Sequence, residues 1–86
     1  MAHWGVVEEL HDRPQPVAHS GGTREEARRR LYETACTHRF TGGLMQRRRE
    51  AYRVDDDAYY VEIKGGPGTH HLRYSLAERV RSTDGP

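Results

Sequence analysis

The sequence predicts an α+β domain in the order β-α-β-β-β, with one helix packed on one face of a four-stranded, mostly antiparallel sheet. Three observations carry this. Thr23-Arg24-Glu25-Glu26 has the form of a helix capping box and opens an amphipathic stretch. After residue 46, three runs rich in β-branched and aromatic residues are separated by short turn sequences. The chain has 86 residues, enough for one hydrophobic core and too few for two.

The first strand is expected over residues 4–10, where Trp4, Val6 and Val7 favour extended backbone. Residues 12–22 read as a loop, because Pro14, Pro16, Gly21 and Gly22 punctuate regular structure. The helix follows and runs to about residue 38. The Thr23 hydroxyl can accept from the backbone N–H of Glu26, satisfying one of the donors a helix start leaves unpaired. Ala27, Leu31 and Ala35 recur at i, i+4 and i+8, joined by Thr34 and His38, so one narrow stripe faces the core. Its small residues allow a close approach to the sheet. Glu25 to Arg29 and Glu26 to Arg30 are helix pairs in the favourable orientation, and Gly42-Gly43 stops any continuation.

Strands are then expected over residues 47–54, 58–64 and 69–74. Asp55-Asp56-Asp57 and Gly65-Gly66-Pro67-Gly68 form the turns between them. Connections this short make an antiparallel meander. The middle meander strand already has two neighbours, so the first strand belongs at a sheet edge, in either direction. Ser75-Leu76-Ala77-Glu78 is a second capping-box pattern, opening a short C-terminal helix unless the last strand runs on. The domain thus spans residues 1–81, with residues 82–86 as a flexible tail.

Side chains alternate between the faces of a strand. Tyr59, Val61 and Ile63 form the apolar set that belongs under the helix, with Tyr52, Val54, His70, Leu72 and Tyr74 beside them. The opposite face would then carry Arg47, Arg49, Arg53, Lys64, His71 and Arg73 around Tyr60, with Glu62 in opposition. The formal net charge is only +1, so no global field drives binding and any basic site must come from such clustering. Cations around an aromatic ring are what single-stranded nucleic-acid binders use, with Arg on phosphate and the ring on a base. The plain alternative is a solvated face whose long side chains deter edge aggregation. Lys64 is the one lysine among 14 basic residues. GC-rich codon usage produces that bias without selection on any site.

Other chemistry finds little support. His70 and His71 are adjacent on a strand, so their rings point to opposite faces and cannot chelate one ion. No His/Cys spacing matches a zinc site. Cys36, the sole cysteine, lies near the apolar stripe, where a free thiol behaves as a small hydrophobe. Asp55-Asp56-Asp57 lacks the EF-hand spacing. The Gly65–Gly68 turn has no following Lys-Ser/Thr and precedes a strand, unlike a phosphate loop. Glu8 and Glu9 diverge across the strand, so no general acid and base are assembled. The expectation is of no enzyme activity, no cofactor and no resident metal.

A single cysteine allows no internal disulfide and fits a reducing compartment. With no signal-peptide pattern and no apolar run of membrane-spanning length, this reads as a cytoplasmic protein without membrane association. Gly22-Thr23-Arg24-Glu25-Glu26-Ala27, Arg47-Arg48-Arg49-Glu50-Ala51-Tyr52-Arg53 and Arg73-Tyr74-Ser75-Leu76-Ala77-Glu78 together resemble small proteins of actinobacteria of the Streptomyces type. The likeness covers most of the chain, and its motifs are structural. The resemblance implies a source and a domain size, and no activity. The function expected is that of a small non-enzymatic binding module, taking nucleic acid or another polyanion on the basic sheet face. An acidic protein surface is the other partner for that face, and the alternative function is a protein–protein adaptor or small regulator that pairs through an edge strand, with a second copy as a homodimer in one form.

Overall fold

The computed structural model describes residues 2–38, 48–65 and 68–81. Its elements are β1 (His3–Leu10), β2 (Arg13–Gly21), α1 (Arg24–Thr37), β3 (Arg48–Asp55), β4 (Ala58–Gly65) and β5 (Gly68–Glu78). The strands form one five-stranded sheet in the order β2-β1-β5-β4-β3, every pair antiparallel. The helix packs on one face, as an α+β class requires.

The strand count corrects the four-stranded expectation, and the fifth strand lies in the segment read as a loop. β1 turns into β2 through His11 and Asp12, both at positive φ (52° and 61°), with Leu10 paired to Arg13. Two central residues with positive φ are the mark of a tight hairpin turn whose twist suits the strands. Pro14 and Pro16 are tolerated because β2 is the outermost strand, where a missing donor need not break a ladder. Val17 is the extra residue of a bulge between the Val6–Ala18 and Val7–Pro16 pairs, and it packs against the core. β1 is therefore interior and not an edge strand.

At the other end the structure takes one of the two alternatives that the sequence left open. Residues 75–78 continue β5 and are not helical. Val6 faces Leu76 and Trp4 faces Glu78 across the β1–β5 ladder, and the Arg79 N–H donates to the His3 carbonyl at 2.8 Å. Pairing with β1, together with the Leu76 N–H donating to the Asp57 carbonyl at 2.9 Å, takes up backbone groups that a helix would have paired locally. The expected tail at 82–86 and the Gly42-Gly43 stop lie outside the described residues, as do Gly66 and Pro67 of the last turn.

The helix forms as its sequence directs. Thr23 Oγ1 accepts from the Glu26 N–H at 3.1 Å, and Ala27, Leu31, Thr34 and Ala35 are its buried residues. Gly22 sits at φ +95°, a backbone conformation that favours glycine whatever the space around it. Leu31 and Ala35 meet Val6, Ala18, Val61, Ile63, Leu72 and Tyr74 in a single core. The helix lies mainly across β2, β5 and β1 and reaches β3 least. Its first turn is pinned to the β3–β4 turn: Arg24 and Arg28 (2.8 Å) both bind the Asp57 carboxylate. These two guanidinium groups hold the Asp57 carboxyl below its usual value.

Candidate binding face

Residues paired directly across an antiparallel ladder share a face. Tyr59 pairs with Arg53, Val61 with Ala51 and Ile63 with Arg49, so Arg49, Ala51 and Arg53 lie on the helix side of β3. This corrects the expected placement of Arg49 and Arg53 on the uncovered face. Arg49 also shows why. Its guanidinium donates to the Ala35 carbonyl at 2.7 Å and to the His38 carbonyl, satisfying acceptors that the end of α1 leaves unpaired. Tyr52, expected inward, takes the uncovered face with Glu50 and Arg48, and is 48% exposed. Arg47 lies outside the described residues.

The uncovered face is consequently aromatic and charge-balanced, and no longer strongly basic. Tyr52 faces Tyr60 across the β3–β4 ladder, with ring centroids 6.2 Å apart and planes at 32°. Tyr60 stacks in turn on His71, diagonally across β4–β5, at 5.7 Å and 20°. The Tyr60 hydroxyl is hydrogen-bonded to His71 Nδ1. Three rings thus form a row across three strands. Arg48, Lys64 and Arg73 share the face, as do Glu9, Glu50 and Glu62. Arg48 binds Glu50 at 2.8 Å, and the Tyr52 hydroxyl donates to Glu50 at 2.9 Å. The Tyr52 bond and Arg48 lower the Glu50 carboxyl, while Glu50 raises the Tyr52 hydroxyl. Partial burial and then Glu62 raise the hydroxyl of Tyr60. Of the residues expected to form the site, Tyr60, Lys64, His71 and Arg73 are brought together here.

A polar cluster that the sequence did not reveal lies on the other face, beneath the end of α1. Glu8 is 3% exposed and fully engaged: Tyr74 Oη donates to Oε2 at 2.6 Å and Gln15 Nε2 to Oε1 at 3.3 Å. His38 Nε2 stands 3.7 Å from Oε2, and the His38 ring meets Tyr74 edge-on. The Tyr74 side chain has no solvent exposure. Its hydroxyl is raised far above the usual tyrosine value, first by burial and then by the bond to Glu8. The available signal was parity: Glu8 alternates with Val6 and Leu10 on the core side of β1. Beside the cluster, between α1 and β2, is a shallow recess of about 130 Å³ lined by residues that include Val17, Thr34 and His38.

Among the described residues, no group of three or more His, Cys, Asp or Glu could hold a metal ion, and no helix is long and apolar enough to cross a membrane. Comparison with protein-family models, curated proteins and solved structures finds no match to this chain.

Proposed function

We propose that this chain is a non-enzymatic binding module that uses the uncovered sheet face, with single-stranded nucleic acid as its ligand class. The observation that supports this reading is the Tyr52–Tyr60–His71 row. Successive rings on a sheet accept successive bases, and Arg48, Lys64 and Arg73 on the same face are within reach of a phosphate backbone. The carboxylates on this face make stacking, and not charge, the main source of affinity. A titration of the protein with mixed-sequence single-stranded oligonucleotides at low salt tests this. Amide shifts should concentrate on the uncovered side of β3, β4 and β5. Tyr60→Ala should weaken binding by about 1–3 kcal/mol with little change in salt slope. That slope should be no steeper than about −2, since three cations release few counterions. An unchanged spectrum on that face would end the reading.

A second reading, pairing through an edge strand, is favoured by the contrast between the two edges. β2 carries Pro14 and Pro16, which cannot donate to an added strand. β3 has eight residues without proline, and no described strand pairs with its outer side.

A further inference from the structure

The helix side of β3 is a row of Arg49, Ala51 and Arg53, of which only Arg49 meets the end of α1. Ala51 and Arg53 are exposed although they face the same side as the core residues Val61 and Tyr59. The Tyr32 ring of α1, 54% exposed, leans on Tyr59 at 6.0 Å. The strip beyond it is thus bordered by a helix on one side and, on the other, by a strand edge with which no described strand pairs. Arg49 is committed to the carbonyls that end the helix. The Arg53 side chain is exposed and has no hydrogen bond or ion pair among the described residues.

We infer that β3 accepts an acidic, extended segment of a partner protein as a sixth strand, its carboxylates directed to Arg53 on the helix side. This rests on the edge-pairing reading and adds the chemistry of the partner. Main-chain bonds to β3 would supply affinity, and alternate side chains the selectivity. A strand added at the usual spacing of about 4.8 Å places alternate side chains directly opposite Arg49, Ala51 and Arg53. Glu or Asp opposite Arg53 gains a charge-assisted bond. The intervening side chains meet Tyr52, exposed and apolar apart from its hydroxyl.

Charge also decides against a second copy of this chain. Antiparallel pairing of β3 with itself about a two-fold axis normal to the sheet keeps each face on its own side. In the register centred on Ala51, each Arg53 would face the Arg49 of the other copy, so that cation meets cation across the junction and Arg53 gains no carboxylate. An acidic strand removes that repulsion.

The test uses the full chain, isotope-labelled, and three blocked eight-residue peptides that alternate valine with glutamate, threonine or lysine. The glutamate peptide should shift the amides of β3 and bind about fivefold more tightly than the threonine peptide, the scale of one exposed ion pair. The lysine peptide should leave the spectrum unchanged. Arg53→Glu should erase the preference for glutamate while the threonine peptide still binds. Equal binding of the glutamate and threonine peptides would overturn the acidic partner and leave edge pairing intact. No shift in β3 with any peptide would overturn both. A peptide-free dimer whose β3 amides are protected from exchange would give the edge to a second copy and overturn the inference.

Discussion

The hydroxyl of Tyr74 donates to the carboxylate of Glu8 across 2.6 Å, joining the last strand to the first through side chains 66 positions apart. Both groups are buried, so neither has water to fall back on. Tyr74→Phe should cost about 1–3 kcal/mol in urea unfolding, because it leaves a buried carboxylate oxygen short of a partner. Glu8→Gln keeps an acceptor for the hydroxyl and should cost less than Glu8→Ala.

The same bond makes an alkaline prediction. Tyr74 has its pKa raised in the fold from a usual value near 10. The neutral phenol is therefore the form that the fold favours. Its contribution is complete below pH 10 or so and is lost as pH rises through the value in the unfolded chain toward the higher folded one. Ultraviolet titration should show one tyrosine resisting ionisation until the protein unfolds. Tyr74→Phe should remove that resistant fraction.

Leu31 has no exposed surface and sits between the helix and the sheet. Leu31→Ala should cost about 2–5 kcal/mol, a large share of a small domain's stability. Thr23→Ala should cost about 1 kcal/mol through the lost cap. Unfolding midpoints give both values, and a Leu31→Ala midpoint equal to the parent's would contradict the helix packing.

Arg49 and Arg53 are two turns of the same pleat with different duties. Arg49→Ala should destabilise the domain by about 1.5–3 kcal/mol, because two carbonyls at the end of α1 lose a charged donor. Arg53→Ala should leave the unfolding free energy within about 0.5 kcal/mol of the parent's, as for an exposed side chain with no side-chain partner among the described residues. Denaturant melts of the pair, run side by side, check the difference.

Asp57 sets the acid side. Its folded pKa is lowered by Arg24 and then by Arg28, so its stabilisation is complete above the ordinary carboxylate value and fades as pH falls through the folded one. The stability gap between the parent and Asp57→Asn should be present at neutral pH and close in strong acid.

What the sequence disclosed was what depends on near neighbours. The Thr23 cap and the Ala27–Leu31–Ala35 stripe are set within a few residues, and both stand as expected. Alternation in β4 and β5 was legible because those strands are central and one face must be buried. It failed in β3, the strand that the helix covers least. No burial gain there draws Tyr52 inward, and Arg49 has carbonyls to meet on the helix side. β2 was hidden because Pro14 and Pro16 usually mark loops, and its turn uses His11 and Asp12 where Asn-Gly would have announced a hairpin. Residues 75–78 satisfied a local helix pattern, and pairing with β1, some seventy positions away, prevailed. On the face away from the helix, the placement of Tyr60, Lys64, His71 and Arg73 was legible, whereas that of Tyr52 depended on the register of β3.

The seam between β1 and β5 divides the chain into two local assemblies: a hairpin with its helix, and a three-stranded meander. Each can form from neighbouring residues, but the sheet is closed only by strands from opposite ends of the described chain. Such pairing carries a high loop-closure cost and slows folding. On the ribosome, β1 must wait with one side unpaired until β5 has emerged, and the aggregation-sensitive interval of synthesis is the time between them. The same division suggests where the protein can be cut without being lost. Residues 2–38 and 48–81, supplied as separate chains, should find each other along this seam and rebuild the sheet in trans.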